Sequence, residues 1–326
     1  MSNVDEIISG SPQDLEVFDS LVKTATKIRN YDNILCAISG GSDSDILLDM
    51  FSMLDSENKV HYVFFDTGLE YAATKEHIEL LQQKYGVEIK TEKAIKPIPL
   101  CCRIYGQPFL SKRVSECIER LQRHGFKWKD KPFDELYREY PKCKAALRWW
   151  CNDFGEDSRF NIDRHKFLKE FMIENPPTFN ISPKCCTYAK KKVAHKYIKE
   201  NNIELNVVGV RKAEGGARAT AYKNCFTVKS EGADEYRPIF WYKQENKEAY
   251  ERHYGVTHSR CYRDYGLKRT GCAGCPFGRD FENELRIIEK HEPKLYKAVN
   301  NIFGDSYEYT RRYRAFVDER KQNESF

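Results

Sequence analysis

Residues 34–44, Ile34-Leu35-Cys36-Ala37-Ile38-Ser39-Gly40-Gly41-Ser42-Asp43-Ser44, constrain this chain more than any other stretch. Five apolar residues in a row, with no polar residue alternating, read as a strand buried on both faces of a parallel sheet. The two glycines permit torsions and close approaches that a Cβ forbids. From Asp43 to Leu54 the apolar residues Ile46, Leu47, Met50 and Leu54 fall on one helical stripe. Strand, Gly-Gly turn and helix N-terminus bring N–H groups and the positive end of a helix dipole to one point. The expected ligand is a phosphate, pyrophosphate or sulfate. The Gly-Lys-Ser/Thr ending of a Walker loop is absent. The loop alone therefore names a ligand class and no reaction.

The flanking chain repeats the alternation of strand and helix. Residues 12–30 carry Leu15, Phe18, Leu21, Val22 and Ile28 at helical spacing. Val60 to Phe65 reads as a second strand ending at Asp66-Thr67-Gly68, Thr74 to Tyr85 as a helix, and Val87 to Lys90 as a third strand. Such alternation predicts an α/β fold, a parallel twisted sheet with helices on both faces. Ligands of these sheets bind beyond the carboxyl ends of the strands, where Ser39–Ser44 and Asp66–Gly68 both fall.

From about Lys96 to Pro177 the pattern changes to a helical, basic segment. Between Arg103 and Trp150 there are twelve Lys/Arg against six Asp/Glu, and the run closes on Trp149-Trp150. That interleaving suits either a solvated basic face over a core or a single-stranded nucleic acid. Ile203 to Val210 reads as a strand leading to Arg211, and residues after Glu282 read as helices. The expected division is a nucleotide-binding domain from 1–100 and 178–280, a helical insertion at 101–177, and a helical C-terminal extension at 281–326.

A net charge of +5 over 326 residues fits an enzyme of anionic substrates. The start Met1-Ser2-Asn3-Val4-Asp5-Glu6 lacks the basic and apolar runs of a signal peptide. No apolar run approaches the ~18 residues of a membrane span. A cytoplasmic protein without a membrane partner is expected.

Several motifs carry a resemblance. Ser39-Gly40-Gly41-Ser42-Asp43-Ser44 resembles the SGGxDS loop of the PP-loop superfamily, which includes ATP pyrophosphatases and phosphoadenosine phosphosulfate (PAPS) reductases. Asp66-Thr67-Gly68, followed by Tyr71 and Thr74, is similar to the second PAPS-reductase motif, which lies beside the adenosine. Gly209-Val210-Arg211, Glu214 and Arg218 resemble the family's Arg-Glu-Arg segment, and Arg237 to Trp241 its Pro-Leu-x-x-Trp stretch. The resemblance implies that Ser39, Gly40, Gly41, Ser42, Asp43 and Ser44 hold pyrophosphate, with Asp43 orienting Mg²⁺. It implies that Asp66, Thr67 and Gly68 flank adenosine, and that Arg211 and Arg218 offset developing negative charge.

Twelve cysteines in a reducing compartment call for an explanation other than disulfides. Cys36, inside the first strand, reads as a small buried hydrophobe. Cys185-Cys186, 85 intervening residues, then Cys272-x2-Cys275 resembles the CC…CxxC set that ligates a [4Fe-4S] cluster in adenylyl-sulfate reductases. Vicinal ligands suit a cubane, which offers each thiolate its own iron, better than one tetrahedral zinc. Cys261, with ten residues between it and Cys272, competes for the place of one vicinal cysteine, as in phosphorothioation ATP pyrophosphatases. Metal-free thiols and zinc stay open as alternatives.

Sulfonucleotide reductases attack with a cysteine near the C-terminus, and no cysteine follows Cys275 here. The leading expectation is therefore an ATP pyrophosphatase that adenylates an acceptor in the service of sulfur transfer. The alternatives are a PAPS or adenylyl-sulfate reductase drawing its thiol from Cys101, Cys102 or a partner, and a nucleotide- or nucleic-acid-binding module without turnover. Expected partners are an adenine nucleotide, a sulfur-donor protein, a nucleic-acid acceptor and, as oligomer, a homodimer.

Overall fold

A central strand, β1 (Ile34–Ile38), organises the first of two units into which the chain divides. The computed structural model describes residues 3–156, 158–215 and 221–324. The first unit holds Met1–Ile95 and Ala189–Cys272; the second holds Lys96–Tyr188 and Ala273–Phe326.

In the first unit β1 is joined by β2 (Val60–Asp66), β3 (Ile89–Lys93), β4 (Leu205–Val207), β5 (Phe226–Thr227) and β6 (Asp234–Tyr236), in the order β3-β2-β1-β4-β6-β5. All neighbours are parallel except β5 and β6. Side chains of a strand alternate between faces. Ile34, Cys36 and Ile38 enter one core with Tyr62, Phe64 and Val207, while Leu35 and Val63 enter another with Tyr197 and Ile203. Both faces are covered, which is why β1 reads as an unbroken apolar run. Cys36 is fully buried, and burial pushes its thiol pKa well up, as a small hydrophobe requires.

The helix Leu15–Asn30 starts at Asp14, whose carboxylate accepts from Glu16 N at 3.0 Å and Val17 N at 3.1 Å. It buries Val17, Leu21, Ala25 and Ile28 against the helix Ser42–Leu54, which buries Ile46, Leu47, Met50 and Leu54. Two expected strands differ from their sequence bounds. β3 begins at Ile89, because Gly86 closes the preceding helix Ala72–Tyr85 in a left-handed turn (φ 63°). β4 ends at Val207 rather than Val210, and residues 208–211 run on beyond the ladder with β1.

The second unit is helical. Its core gathers Phe109, Ile118, Leu121, Trp149, Trp150 and Phe171 with Tyr309 and Tyr313 of the long helix Pro293–Glu324. Trp149 and Trp150 are fully buried, and Trp150 Nε1 donates to Lys129 O at 3.0 Å. The pair is therefore core, and it offers no platform for stacking bases. Arg120 and Arg123 lie on Glu116 and Glu119 of their own helix, Lys112–Arg123. Gly106 ends the helix Ile98–Tyr105 with φ 109° and ψ 167°. Beyond it Gln107 N donates to Asn180 O at 2.8 Å, and Ser182 N to Gln107 O at 2.9 Å.

Candidate nucleotide site and cysteine positions

Strand order decides where a ligand meets the sheet. β1 has β2 on one side and β4 on the other, so chain connections depart in opposite directions at this point, the usual place for a crevice. Three segments leave the carboxyl ends of these neighbours: 39–44 after β1, 66–68 at the end of β2, and 208–211 after β4.

Hydroxyls hydrogen-bond across the loop. Gly40 has φ +66°, and a Cβ there would stand 2.8 Å from Thr74 Cγ2. Gly41 caps Ser42–Leu54 without a side-chain bond. A Cβ on it would meet Ser39 Oγ and Thr270 Oγ1 at 3.2 Å and the Tyr262 hydroxyl at 3.4 Å. Ser44 Oγ donates to Gly41 O at 2.7 Å and accepts from Ser39 N at 3.2 Å; Ser42 N donates to the Tyr262 hydroxyl at 3.1 Å. Ser39 to Ser44 are thus drawn into one hydroxyl-lined cradle at a helix N-terminus.

Behind the loop sits a charge network. Arg211 Nε donates to both Asp43 carboxylate oxygens, at 3.1 and 3.2 Å. Lys247, its side chain only 7% exposed, places Nζ 3.0 Å from Asp43 Oδ1 and donates to Ser42 Oγ. Burial would raise the Asp43 pKa, but Lys247, a hydrogen bond with Glu214, and Arg211 outweigh it and hold it below its ordinary value. A Mg²⁺ ion on Asp43 would have to displace these cations. Arg218 lies outside the described residues.

One step further, Asp45 is fully buried between two histidines. His77 Nε2 is 3.1 Å and His258 Nδ1 2.8 Å from Asp45 Oδ2, and His258 Nε2 reaches Glu251 Oε1 at 2.8 Å. Burial lowers the His258 pKa, yet the two carboxylates overcome it and lift it to about 9. A raised folded pKa stabilises fully below the ordinary value of 6.5 and loses that stabilisation as pH rises through about 9. The melting-temperature deficit of His258→Gln is thus expected to be large at pH 6 and to shrink by pH 9.5. A deficit constant over that range would contradict this.

At β2, Gly68 N donates to Asp66 Oδ1 at 2.8 Å and Lys75 Nζ lies 2.9 Å from Oδ2. Burial works against the Asp66 carboxylate, but Lys75 and Gly68 N leave its pKa lowered. Thr67 donates through its hydroxyl to Glu70, whose pKa burial raises.

The five candidate ligand cysteines fall in both units. In the first, Cys261 is fully buried with its Sγ 3.7 Å from Thr74 Oγ1, and Thr67 Oγ1 donates to Cys272 Sγ at 3.9 Å. In the second, Cys185 hydrogen-bonds with Cys102 and with Cys186, and Cys275 lies close enough to act on its charge. The Cys102 bond and burial drive the Cys185 pKa far up, against the lowering effect of Cys186. Lys184–Cys186 opens a helical run that continues through a π-turn over Thr187–Lys191 into Lys192–Glu200. Among the described residues no three Cys, His, Asp or Glu side chains converge on a single metal position. The groups acting on Cys185 include the thiols of Cys102, Cys186 and Cys275, donors that suit iron–sulfur ligation.

Sequence reasoning did not single out Lys247, Tyr262, Thr270 or His258. The only sign was that Tyr262 and Thr270 flank the Tyr-Gly segment before Cys272.

The model of the phosphoadenosine phosphosulfate reductase domain matches residues 33–100, the span from β1 through the loop and the Asp66–Gly68 turn. An uncharacterized protein of Methanocaldococcus jannaschii is 24% identical over 275 residues, 83% of this chain and 42% of that protein. The chain thus spans less than half of that curated relative. Among solved structures, a PAPS reductase from Candida auris in complex with phosphate aligns at a TM-score of 0.40 and 16% identity, covering 79% of this chain and 95% of that one. The U34-tRNA thiolase NcsA of Methanococcus maripaludis with its [4Fe-4S] cluster aligns at 0.36 and 12%, covering 92% and 79%. No helix among the described residues is long and apolar enough to cross a membrane.

Proposed function

We propose that the chain binds an adenine nucleotide at Ser39–Ser44 and Asp66–Gly68 and activates an acceptor by adenylation, serving sulfur transfer. An acceptor oxygen attacks the α-phosphorus, the α–β phosphoanhydride bond breaks, and pyrophosphate leaves onto the loop. The observation that carries this reading is the cradle at the β1/β4 switch point, where loop hydroxyls meet Arg211 and Lys247. Fixed cations there favour a leaving pyrophosphate more than they favour neutral ground-state contacts. In this reading a [4Fe-4S] cluster draws on Cys185, Cys186, Cys272 and Cys275, with Cys261 as the competitor for the place of one vicinal cysteine. Such a cluster supplies electron storage when bound.

The reductase reading is less favoured, because a nucleophilic cysteine needs thiolate character. Cys101 is buried, and that burial raises its pKa despite Lys96. Incubation with ATP, Mg²⁺ and candidate acceptors, tRNA among them, is expected to release pyrophosphate and adenylate the acceptor, and with added sulfide to release AMP in an amount equal to the pyrophosphate. Sulfite from labelled PAPS or adenylyl sulfate, with no AMP from ATP, would reverse the assignment.

A further inference from the structure

Lys247 lies on the helix Gln244–Tyr254, a segment so polar that its one lysine belongs in water. Yet its side chain is 7% exposed, and its ammonium is spent on Ser42 and Asp43 of the loop, with Glu251 3.6 Å away. Burying an ammonium is costly unless partners compensate. Asp43 faces two cations at once, Lys247 and Arg211, with Glu251 beside Lys247 and Glu214 bonded to Asp43. Both cations adjoin the turn at Gly41, where a Cβ would meet the hydroxyls of Ser39, Tyr262 and Thr270.

We infer that Lys247 is the phosphate-gripping cation of this loop, held ready by Asp43 and transferred to the pyrophosphate moiety of the ligand when it binds. The inference rests on the nucleotide reading above and deepens it. The loop lacks the lysine of a Walker motif, and Lys247 brings the same point charge from a helix about 200 residues later. Asp43 is then a placeholder for the anion, releasing Lys247 and Arg211 to it, and no bond is made or broken.

The test is calorimetric titration of the full chain with inorganic pyrophosphate and, separately, adenosine, in EDTA so that no metal bridges Asp43. Lys247→Met is expected to weaken pyrophosphate at least about tenfold and leave adenosine unchanged. Asp43→Asn, removing the competitor, is expected to tighten pyrophosphate. Unchanged pyrophosphate affinity in Lys247→Met overturns the inference, as does an equal loss for adenosine, which marks a merely structural lysine. If Lys247→Met does not fold, Asp43→Asn decides: weaker pyrophosphate binding overturns the inference. If the unaltered chain binds ATP but Lys247→Met is indifferent, only the inference falls. If it binds neither ATP nor pyrophosphate, the nucleotide reading falls and takes the inference with it.

Discussion

Protein carrying Cys275→Ser, purified without oxygen, is expected to hold neither iron nor acid-labile sulfide, whereas the unaltered chain holds about four of each. Cys275 belongs to both ligand sets that the spacing allows, and it lies close enough to Cys185 to act on its charge. A serine hydroxyl is a poor substitute for a thiolate on iron, so loss rather than weakening is anticipated. Cys185→Ser should behave alike. Cys261 discriminates: it is fully buried against Thr74, and Cys261→Ala should keep its iron if the vicinal pair supplies two ligands. If instead Cys261→Ala loses iron and Cys186→Ala keeps it, the set with one vicinal cysteine is correct. Stoichiometric zinc in the unaltered protein, or full iron in Cys275→Ser, would defeat the cluster reading.

Gly106→Ala should be the most damaging single methyl in the second unit. A Cβ at Gly106 would stand 2.1 Å from Asn180 O and 2.4 Å from its carbonyl carbon, both backbone atoms that cannot swing aside. Its φ of 109° and ψ of 167° lie in a region that essentially only glycine occupies. Strain of about 1–3 kcal/mol adds to overpacking of about 1–3 kcal/mol. The bonds that Gln107 makes with Asn180 and Ser182 follow immediately and would be pulled apart. Gly125→Ala is the control: φ is +68° with nothing within 4 Å, so only the left-handed penalty of about 1–2 kcal/mol applies. Chemical denaturation followed by tryptophan fluorescence reports on this unit, since Trp149 and Trp150 sit in its core. Equal midpoints for the two variants would show that the Gly106 backbone relaxes freely.

The sheet and its loop were legible because local and global preferences agree there. Ile34 to Ile38 is apolar throughout since both faces are covered, and Gly40 has the positive φ that a glycine after a strand suggests. Arg211 was legible as a cation at a strand end, and it does reach Asp43. Lys247 was not, because a lysine in a polar helix carries no mark of its burial; only the fold carries that helix onto Ser42. The Trp149-Trp150 pair showed the reverse ambiguity. Aromatics among arginines and lysines fit a nucleic-acid face as well as a core, and packing with Phe126 and Trp128 settles them inside. Cys102 joined Cys185 without notice, since nothing in 83 residues of separation suggests a hydrogen bond.

The two units finish at different moments of synthesis. The first needs no residue beyond Cys272, so its sheet and loop can be assembled once that cysteine has cleared the ribosome. The second waits for Tyr309 and Tyr313, which pack on Phe109 and Phe171 at ring distances of 4.9 to 6.4 Å. Until the helix Pro293–Glu324 emerges, Trp149, Trp150 and Phe171 lack part of their cover, although the chain carrying them left the ribosome long before. A nascent chain paused after residue 272 would thus expose a sticky aromatic surface, a natural client for a chaperone.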